Sequence, residues 1–129
     1  MGEEKDRLRA LIVEDDAASR AMLKGILQNL DLEVVGEAPN GRRGLQLAGE
    51  LSPALVCLDI GLPDIDGGKV LSEMLAANPD CKVIMVTGSS QRDKVRECLA
   101  GGAVGYIVKP YAASTVRSTI KRLFPEHVE

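Results

Sequence analysis

Two apolar runs decide the fold of this chain: ALVCL at residues 54–58, followed at once by Asp59, and KVIMV at residues 82–86, followed by Thr87. After the leading lysine of the second run, neither run alternates apolar with polar residues. Such runs are typical of central strands in a parallel sheet, because helices cover both faces of that sheet. The two runs therefore favour an α/β fold in which a polar group follows each strand.

Five short apolar runs alternate along the chain with helix-like stretches. Strands that alternate with helices imply a doubly wound parallel sheet, here a three-layer sandwich of five strands and five helices. The run at residues 33–36 is the shortest and most polar, so we expect it at an edge of the sheet. The first helix-like stretch has Met22, Ile26 and Leu30 at helical spacing, which predicts these residues on one face. The five runs lie at residues 8–13, 33–36, 54–58, 82–86 and 104–108.

Length and composition predict one globular domain. The chain has 129 residues, of which 45% are hydrophobic and 27% charged, and this length is enough to bury a core without disulfides. We expect an N-terminal extension at residues 1–7, the domain at residues 8–124 and a frayed C-terminal tail at residues 125–129.

Charge and cysteine content narrow the function classes. The net charge of −3 argues against direct binding of nucleic acid by this domain, which would need a basic patch. No apolar stretch approaches the roughly 20 residues of a spanning helix, so we expect no membrane insertion. Cys57, Cys81 and Cys98 are odd in number and lack a metal-binding spacing. Reduced structural thiols and a cytoplasmic location are expected.

Four of the five apolar runs end in a functional group: Glu14-Asp15, Asp59, Thr87 and Lys109. The carboxyl ends of parallel strands lie along one edge of a sheet, where open α/β folds place their sites. Three carboxylates brought together there repel one another unless a cation lies among them. Magnesium suits these oxygen ligands, and a carboxylate beside it can accept a phosphoryl group.

Taken singly, these residues have ordinary explanations. Thr87 could cap the helix that follows it, Lys109 could be a solvated surface lysine, and an acid after a strand is commonly a turn residue. Their placement after four of five strands is what favours a shared site.

Four motifs resemble those of the receiver domains of bacterial response regulators. They are LIVEDD at residues 11–16, VCLDIGLPDIDG at 56–67, VTGSS at 86–90 and GYIVKP at 105–110. The resemblance covers about residues 8–124. It implies a flavodoxin-like sheet with strand order 2-1-3-4-5.

The resemblance also implies a role for each matching residue. Asp59 would be the phosphoacceptor, while Thr87 and Lys109 would hold the phosphoryl oxygens. Tyr106 would be a switch residue that acts together with Thr87, and Pro110 would follow a cis peptide bond. The implied Mg²⁺ ligands are Asp15 directly, Glu14 mainly through water, Asp59, and the backbone carbonyl of Gly61.

Three positions depart from the family pattern. Glu14 stands where Asp is commoner, and Tyr111 stands where Phe is frequent. Gly61 offers no side chain at a position that can tune how long the phosphoryl group survives.

The implied function is a phosphorylation switch in two-component signalling and not an enzyme. Its partners would be a sensor histidine kinase or phosphotransfer protein, and a downstream protein or output domain that contacts the fourth helix, fifth strand and fifth helix. Three alternatives stay open: a phosphorylation-independent interaction module, an aspartyl-phosphate phosphatase and a flavin-binding domain. The phosphatase would carry a second Asp two positions after the nucleophile, where this chain has Gly61.

Overall fold

The computed structural model describes residues 7–88 and 91–128. It contains a five-stranded parallel sheet with the order β2-β1-β3-β4-β5, which confirms the predicted doubly wound fold and strand order. The strands are β1 (Arg9–Val13), β2 (Glu33–Ala38), β3 (Leu55–Asp59), β4 (Lys82–Thr87) and β5 (Gly105–Val108). The helices are α1 (Ala17–Asn29), α2 (Gly41–Leu51), α3 (Gly67–Ala77), α4 (Arg92–Ala100) and α5 (Ala113–Leu123).

The core lies in two layers, one on each face of the sheet, because successive side chains of a strand point to opposite faces. In β1, Leu11 belongs to one buried cluster and Ile12 to the other. The first cluster joins the sheet to buried residues of α2, α3 and α4. The second joins it to buried residues of α1 and α5. This division gives the three layers expected from the sequence.

The predicted edge strand is at the edge, but it is longer than expected. Within the part of the chain that the structure describes, β2 pairs only with β1, and it runs two residues beyond Gly36, to Ala38. Its carboxyl end brings Glu37 beside the first helix, where the Nζ of Lys24 lies 2.8 Å from the Glu37 carboxylate.

The predicted face of the first helix is wrong in part. Met22 is 54% exposed, whereas the fully buried residues of α1 are Leu23 and Leu27. Ile26 and Leu30 are partly buried beside them. A second i, i+4 pair, one residue further along, therefore faces the core, and the presence of apolar residues on both registers made the choice ambiguous from sequence.

One residue of the predicted frayed tail is buried, whereas residues 125–127 are exposed. Val128 is 4% exposed and belongs to the cluster beneath α1 and α5. Residues 1–6 of the predicted extension, Ser89 and Ser90 of the VTGSS motif, and Glu129 lie outside the described residues.

Helix caps place the loops that carry the functional groups. The Asp16 carboxylate accepts from the amide of Ser19 at the start of α1, and Asp66 accepts from the amide of Gly68 at the start of α3. Thr87 is not a helix cap, because α4 begins five residues later, after Gln91.

Two further expectations concern membranes and thiols. Within the described residues, no helix has the length and apolar character needed to cross a bilayer. All three cysteines are free and buried, as predicted for structural thiols.

Candidate functional site

The acidic residues that follow β1 and end β3 meet at the carboxyl edge of the sheet. Carboxylate oxygens of Glu14, Asp15 and Asp59 all lie within 4.8 Å of one another. Glu14 and Asp59 are 1% and 5% exposed, whereas Asp15 faces solvent. The three carboxylates converge, and their cluster is open to solvent on the side of Asp15. Carboxylate oxygens are hard ligands of the kind that hold Mg²⁺. The donor set therefore fits the predicted ion.

Glu14 is held on both carboxylate oxygens. Its Oε1 lies 2.7 Å from Nζ of Lys109 and accepts a 3.3 Å hydrogen bond from the hydroxyl of Tyr111. Its Oε2 accepts a 3.0 Å bond from the backbone amide of Asp16. A carboxylate this deeply buried needs such donors, because leaving a charge without a partner away from water is strongly unfavourable.

Lys109 is the positive partner of two acids. Its Nζ lies 2.7 Å from Glu14 and 3.5 Å from Oδ2 of Asp59. Burial alone would lower the pKa of Lys109, but the Glu14 hydrogen bond and the Asp59 charge outweigh it and raise that pKa above its ordinary value. The Lys109 ammonium therefore stays charged. The following Lys109–Pro110 peptide bond is cis, as the resemblance implied.

Asp59 is the acid at the centre of the cluster. Burial raises the pKa of Asp59 to about 6; the hydrogen bond from the Gly61 amide opposes this rise, and neighbouring Glu14 adds to it. That amide donates to Oδ1 of Asp59 at 3.0 Å. The ionised form of Asp59 is thus destabilised until further positive charge arrives.

Thr87 and Tyr106 are not drawn into the acidic cluster. The Thr87 hydroxyl donates to the backbone carbonyl of Gly88 at 2.8 Å, and the Tyr106 side chain is 49% exposed. Both residues instead line a groove of about 460 Å³ between α4 and β5. The two predicted switch residues therefore share one cavity beside the site.

That groove concentrates exposed apolar surface. Among the described residues, the large hydrophobic side chains that are exposed are Met22, Leu99, Tyr106 and Val108, and all but Met22 line the groove. Arg92 and Arg96 of α4 line it as well. Apolar surface gathered beside cationic groups is typical of a protein-binding surface.

Residues 10–121 of the chain match the family described as the response regulator receiver domain. The chain belongs to this family. Chemotaxis protein CheY of Listeria monocytogenes is 37% identical to this receiver domain over 115 residues, which span 89% of this chain and 97% of the relative. CheY of Bacillus subtilis is 38% identical over 114 residues, which span 88% of this chain and 95% of the relative.

A solved structure agrees with this assignment. A CheY-like response regulator receiver domain protein from Methanospirillum hungatei matches this receiver domain with a TM-score of 0.86 at 32% identity. The match covers 95% of this chain and 97% of that structure.

Sequence reasoning missed two contacts that shape the site of this receiver domain. The Asp64 carboxylate accepts from the backbone amides of Gly41 and Arg42 at 2.8 and 3.0 Å, which ties the loop after Asp59 to the start of α2. The Arg20 guanidinium donates to the backbone carbonyl of Glu14 at 2.7 Å. The position of Asp64 after a proline gave no sign of its distant partners. Arg20, one turn after the acidic residues, could have suggested a contact with them.

Tyr111 was treated as a simple replacement for phenylalanine, and its contact with Glu14 was also missed. Burial, and then the charge and hydrogen bond of Glu14, raise the pKa of the Tyr111 phenol. Its hydroxyl therefore remains a proton donor toward that carboxylate.

Proposed function

We propose that this receiver domain accepts a phosphoryl group on Asp59 in a Mg²⁺-dependent reaction and then changes its surface at α4, β5 and α5. The donor would be a phosphohistidine of a sensor kinase or phosphotransfer protein. The observation that carries the proposal is the meeting of three carboxylates with Lys109 at the carboxyl edge of the sheet.

The proposed Mg²⁺ ligands are Asp15 and Asp59 directly, the backbone carbonyl of Gly61, and Glu14 mainly through water. When bound, the ion would neutralise negative charge on the carboxylates and on the incoming phosphate. Asp15 is the exposed member of the cluster and so lies on the side from which an ion enters.

In the transfer step, a carboxylate oxygen of Asp59 attacks phosphorus. The new P–O bond forms while the P–N bond to the donor histidine breaks, and the released imidazole keeps that electron pair. Asp59 must be ionised for this attack, which its burial opposes and the charge of Lys109 favours. Lys109, 3.5 Å from Asp59, would then bind a phosphoryl oxygen.

The phosphoryl group would act on the groove through Thr87. It adds about 1.5 to 2 negative charges and three strong acceptor oxygens. The Thr87 hydroxyl would turn from the Gly88 carbonyl to one of these oxygens, and Tyr106 would rotate inward behind it. Charge-assisted hydrogen bonds contribute about 1.5–3 kcal/mol each, so a few can supply the roughly 5 kcal/mol needed to reverse a two-state population.

The output surface would then be read by a downstream protein or an output domain. Leu99, Tyr106 and Val108 supply apolar contacts, and the groove carries Arg92 and Arg96 on its α4 side. Inward rotation of Tyr106 would reshape this groove, so that the partner distinguishes the two states.

Intact-mass measurement after incubation with acetyl phosphate and Mg²⁺ tests the proposal. We expect one phosphoryl group per chain, and none when EDTA replaces Mg²⁺ or when the protein carries Asp59→Ala. Labelling that persists in Asp59→Ala would remove Asp59 as acceptor. Absence of labelling from both acetyl phosphate and a histidine kinase would support the phosphorylation-independent module. Turnover of p-nitrophenyl phosphate beyond one equivalent would instead indicate a phosphatase.

A further inference from the structure

Two departures from the family pattern touch each other in this chain. Glu14 follows β1 and Tyr111 follows the cis proline, 97 residues later, yet the phenol hydroxyl lies 3.3 Å from Glu14 Oε1. We propose that Tyr111 is a positioning residue whose hydroxyl holds Glu14 and thereby frees Lys109 to bind the phosphoryl group. This inference rests on the proposed function of Asp59.

The hydrogen-bond partners of Glu14 Oε1 decide how easily Lys109 can leave that oxygen. This oxygen faces two donors, Lys109 at 2.7 Å and Tyr111 at 3.3 Å, while Oε2 takes the amide of Asp16. Glu14 is almost wholly buried. If Lys109 turned toward a phosphoryl group and no other protein donor were present, Oε1 would lose its direct partner on the protein and keep at most a water shared with Mg²⁺. Such a loss is unfavourable, so it would hold Lys109 on Glu14.

Tyr111 supplies the second donor that Glu14 Oε1 needs when Lys109 moves away. Its hydroxyl already bonds Oε1 and belongs to a half-buried ring packed against the core layer beneath α1 and α5. When Lys109 leaves, the hydroxyl keeps the oxygen satisfied without a new rearrangement. Lys109 starts 3.5 Å from Asp59, so a small movement of its ammonium is sufficient.

The two departures fit as a pair. An aspartate at position 14 would be one methylene shorter, and the carboxylate would retreat by up to about 1.5 Å from the phenol. A hydrogen bond that is already 3.3 Å long would then be lost. A phenylalanine at position 111 would likewise offer no donor to Glu14.

The test is a double-mutant cycle on the rate of Asp59 labelling by acetyl phosphate at saturating Mg²⁺. It compares the unchanged chain, Tyr111→Phe, Glu14→Asp and the double variant. We expect Tyr111→Phe to slow labelling by about threefold to tenfold, in line with the net contribution of one ordinary hydrogen bond, since the Tyr111–Glu14 bond is 3.3 Å long. In the Glu14→Asp background, Tyr111→Phe should have no effect on the rate of labelling. Thermal unfolding of all four proteins controls for a general loss of stability, which would lower the melting temperature without producing this coupling.

The outcomes separate this inference from the function on which it rests. Equal labelling rates for the unchanged chain and Tyr111→Phe, or the same slowing in both backgrounds, would overturn the role of Tyr111 alone. Failure of the unchanged chain to become labelled would overturn the proposed function, and the inference with it.

Discussion

The acidic cluster and the α4–β5 groove adjoin each other but are built in opposite ways. In the cluster, Glu14 and Asp59 are buried, and each is bonded to a backbone amide and lies near Lys109. In the groove, Leu99, Tyr106 and Val108 leave much of their apolar surface exposed. Chemistry requires charges fixed in place before the reaction, whereas recognition requires surface that a partner can cover. Thr87 lies between the two regions and lines the groove.

The largest expected effect is on the rate of phosphoryl labelling at the acidic cluster. Asp15→Asn should slow labelling by acetyl phosphate and Mg²⁺ by about a hundredfold or more, because it removes the proposed ligand on the open side of the cluster. The adjacent Asp16→Asn is the matched control. Asp16 caps α1 through the Ser19 amide, and asparagine caps equally well. Equal rates for Asp15→Asn and the unchanged chain, measured by intact mass over time, would remove Asp15 from the site.

A smaller effect concerns the stability of the cluster without metal. In the native state the pKa of Asp59 is about 6, whereas its ordinary value, expected in the unfolded chain, is 3.8. At Asp59 the native state therefore binds more protons between these values, and the contribution of this residue to the free energy of unfolding should fall as pH rises through this window. At pH 7.5 in EDTA, Asp59→Asn should raise that free energy by about 1–3 kcal/mol.

Denaturant unfolding at pH 4 and pH 7.5 measures this difference. The gain from Asp59→Asn should shrink at pH 4, where the native carboxyl is protonated. Asp31→Asn, which changes an exposed acid 4.0 Å from Arg7, serves as the control and should change little. A variant that is less stable than the unchanged chain at pH 7.5 would mean that Lys109 and Gly61 already compensate the buried charge.

The smallest predicted effect on chemistry tests the link between the two regions. Thr87→Ala should slow labelling by about tenfold at most, since the hydrogen bond from Thr87 to the phosphoryl group is only partly formed when phosphorus is attacked. It should also remove most of the phosphorylation-dependent shifts of α4 and β5 amide resonances in NMR spectra. Thr87→Ser keeps the hydroxyl and should restore those shifts. Full shifts in Thr87→Ala would show that the groove responds by another route.

The sequence was informative where local pattern and topology act together. Apolar runs without alternation identified the sheet, and the rule that parallel strands share a carboxyl edge brought Glu14, Asp15, Asp59 and Lys109 together. The face of α1 could not be chosen, because Met22 and Leu23 both begin an apolar i, i+4 series and only packing distinguishes them. Val128 illustrates the same limit, since its burial depends on contacts with a core cluster that other elements form.

Contacts between side chains far apart in sequence were the least predictable. The Tyr111–Glu14 bond depends on how closely the segments after β1 and β5 approach each other, which no periodicity reveals. The one available signal was that both positions depart from the family pattern. Considered separately, Glu14 and Tyr111 gave no reason to expect an interaction. Considered together, the two departures would have suggested that these side chains contact each other.

The chain contains two tyrosines, one phenylalanine and no tryptophan, and the tyrosines stand at opposite ends of the proposed switch. Tyr111 touches the carboxylate nearest Lys109, and Tyr106 borders the exposed groove. Near-ultraviolet absorbance and dichroism above the phenylalanine bands therefore arise from these two phenols alone. The molecule carries an intrinsic optical probe at each end, and replacing either ring with phenylalanine assigns the remaining signal to the other.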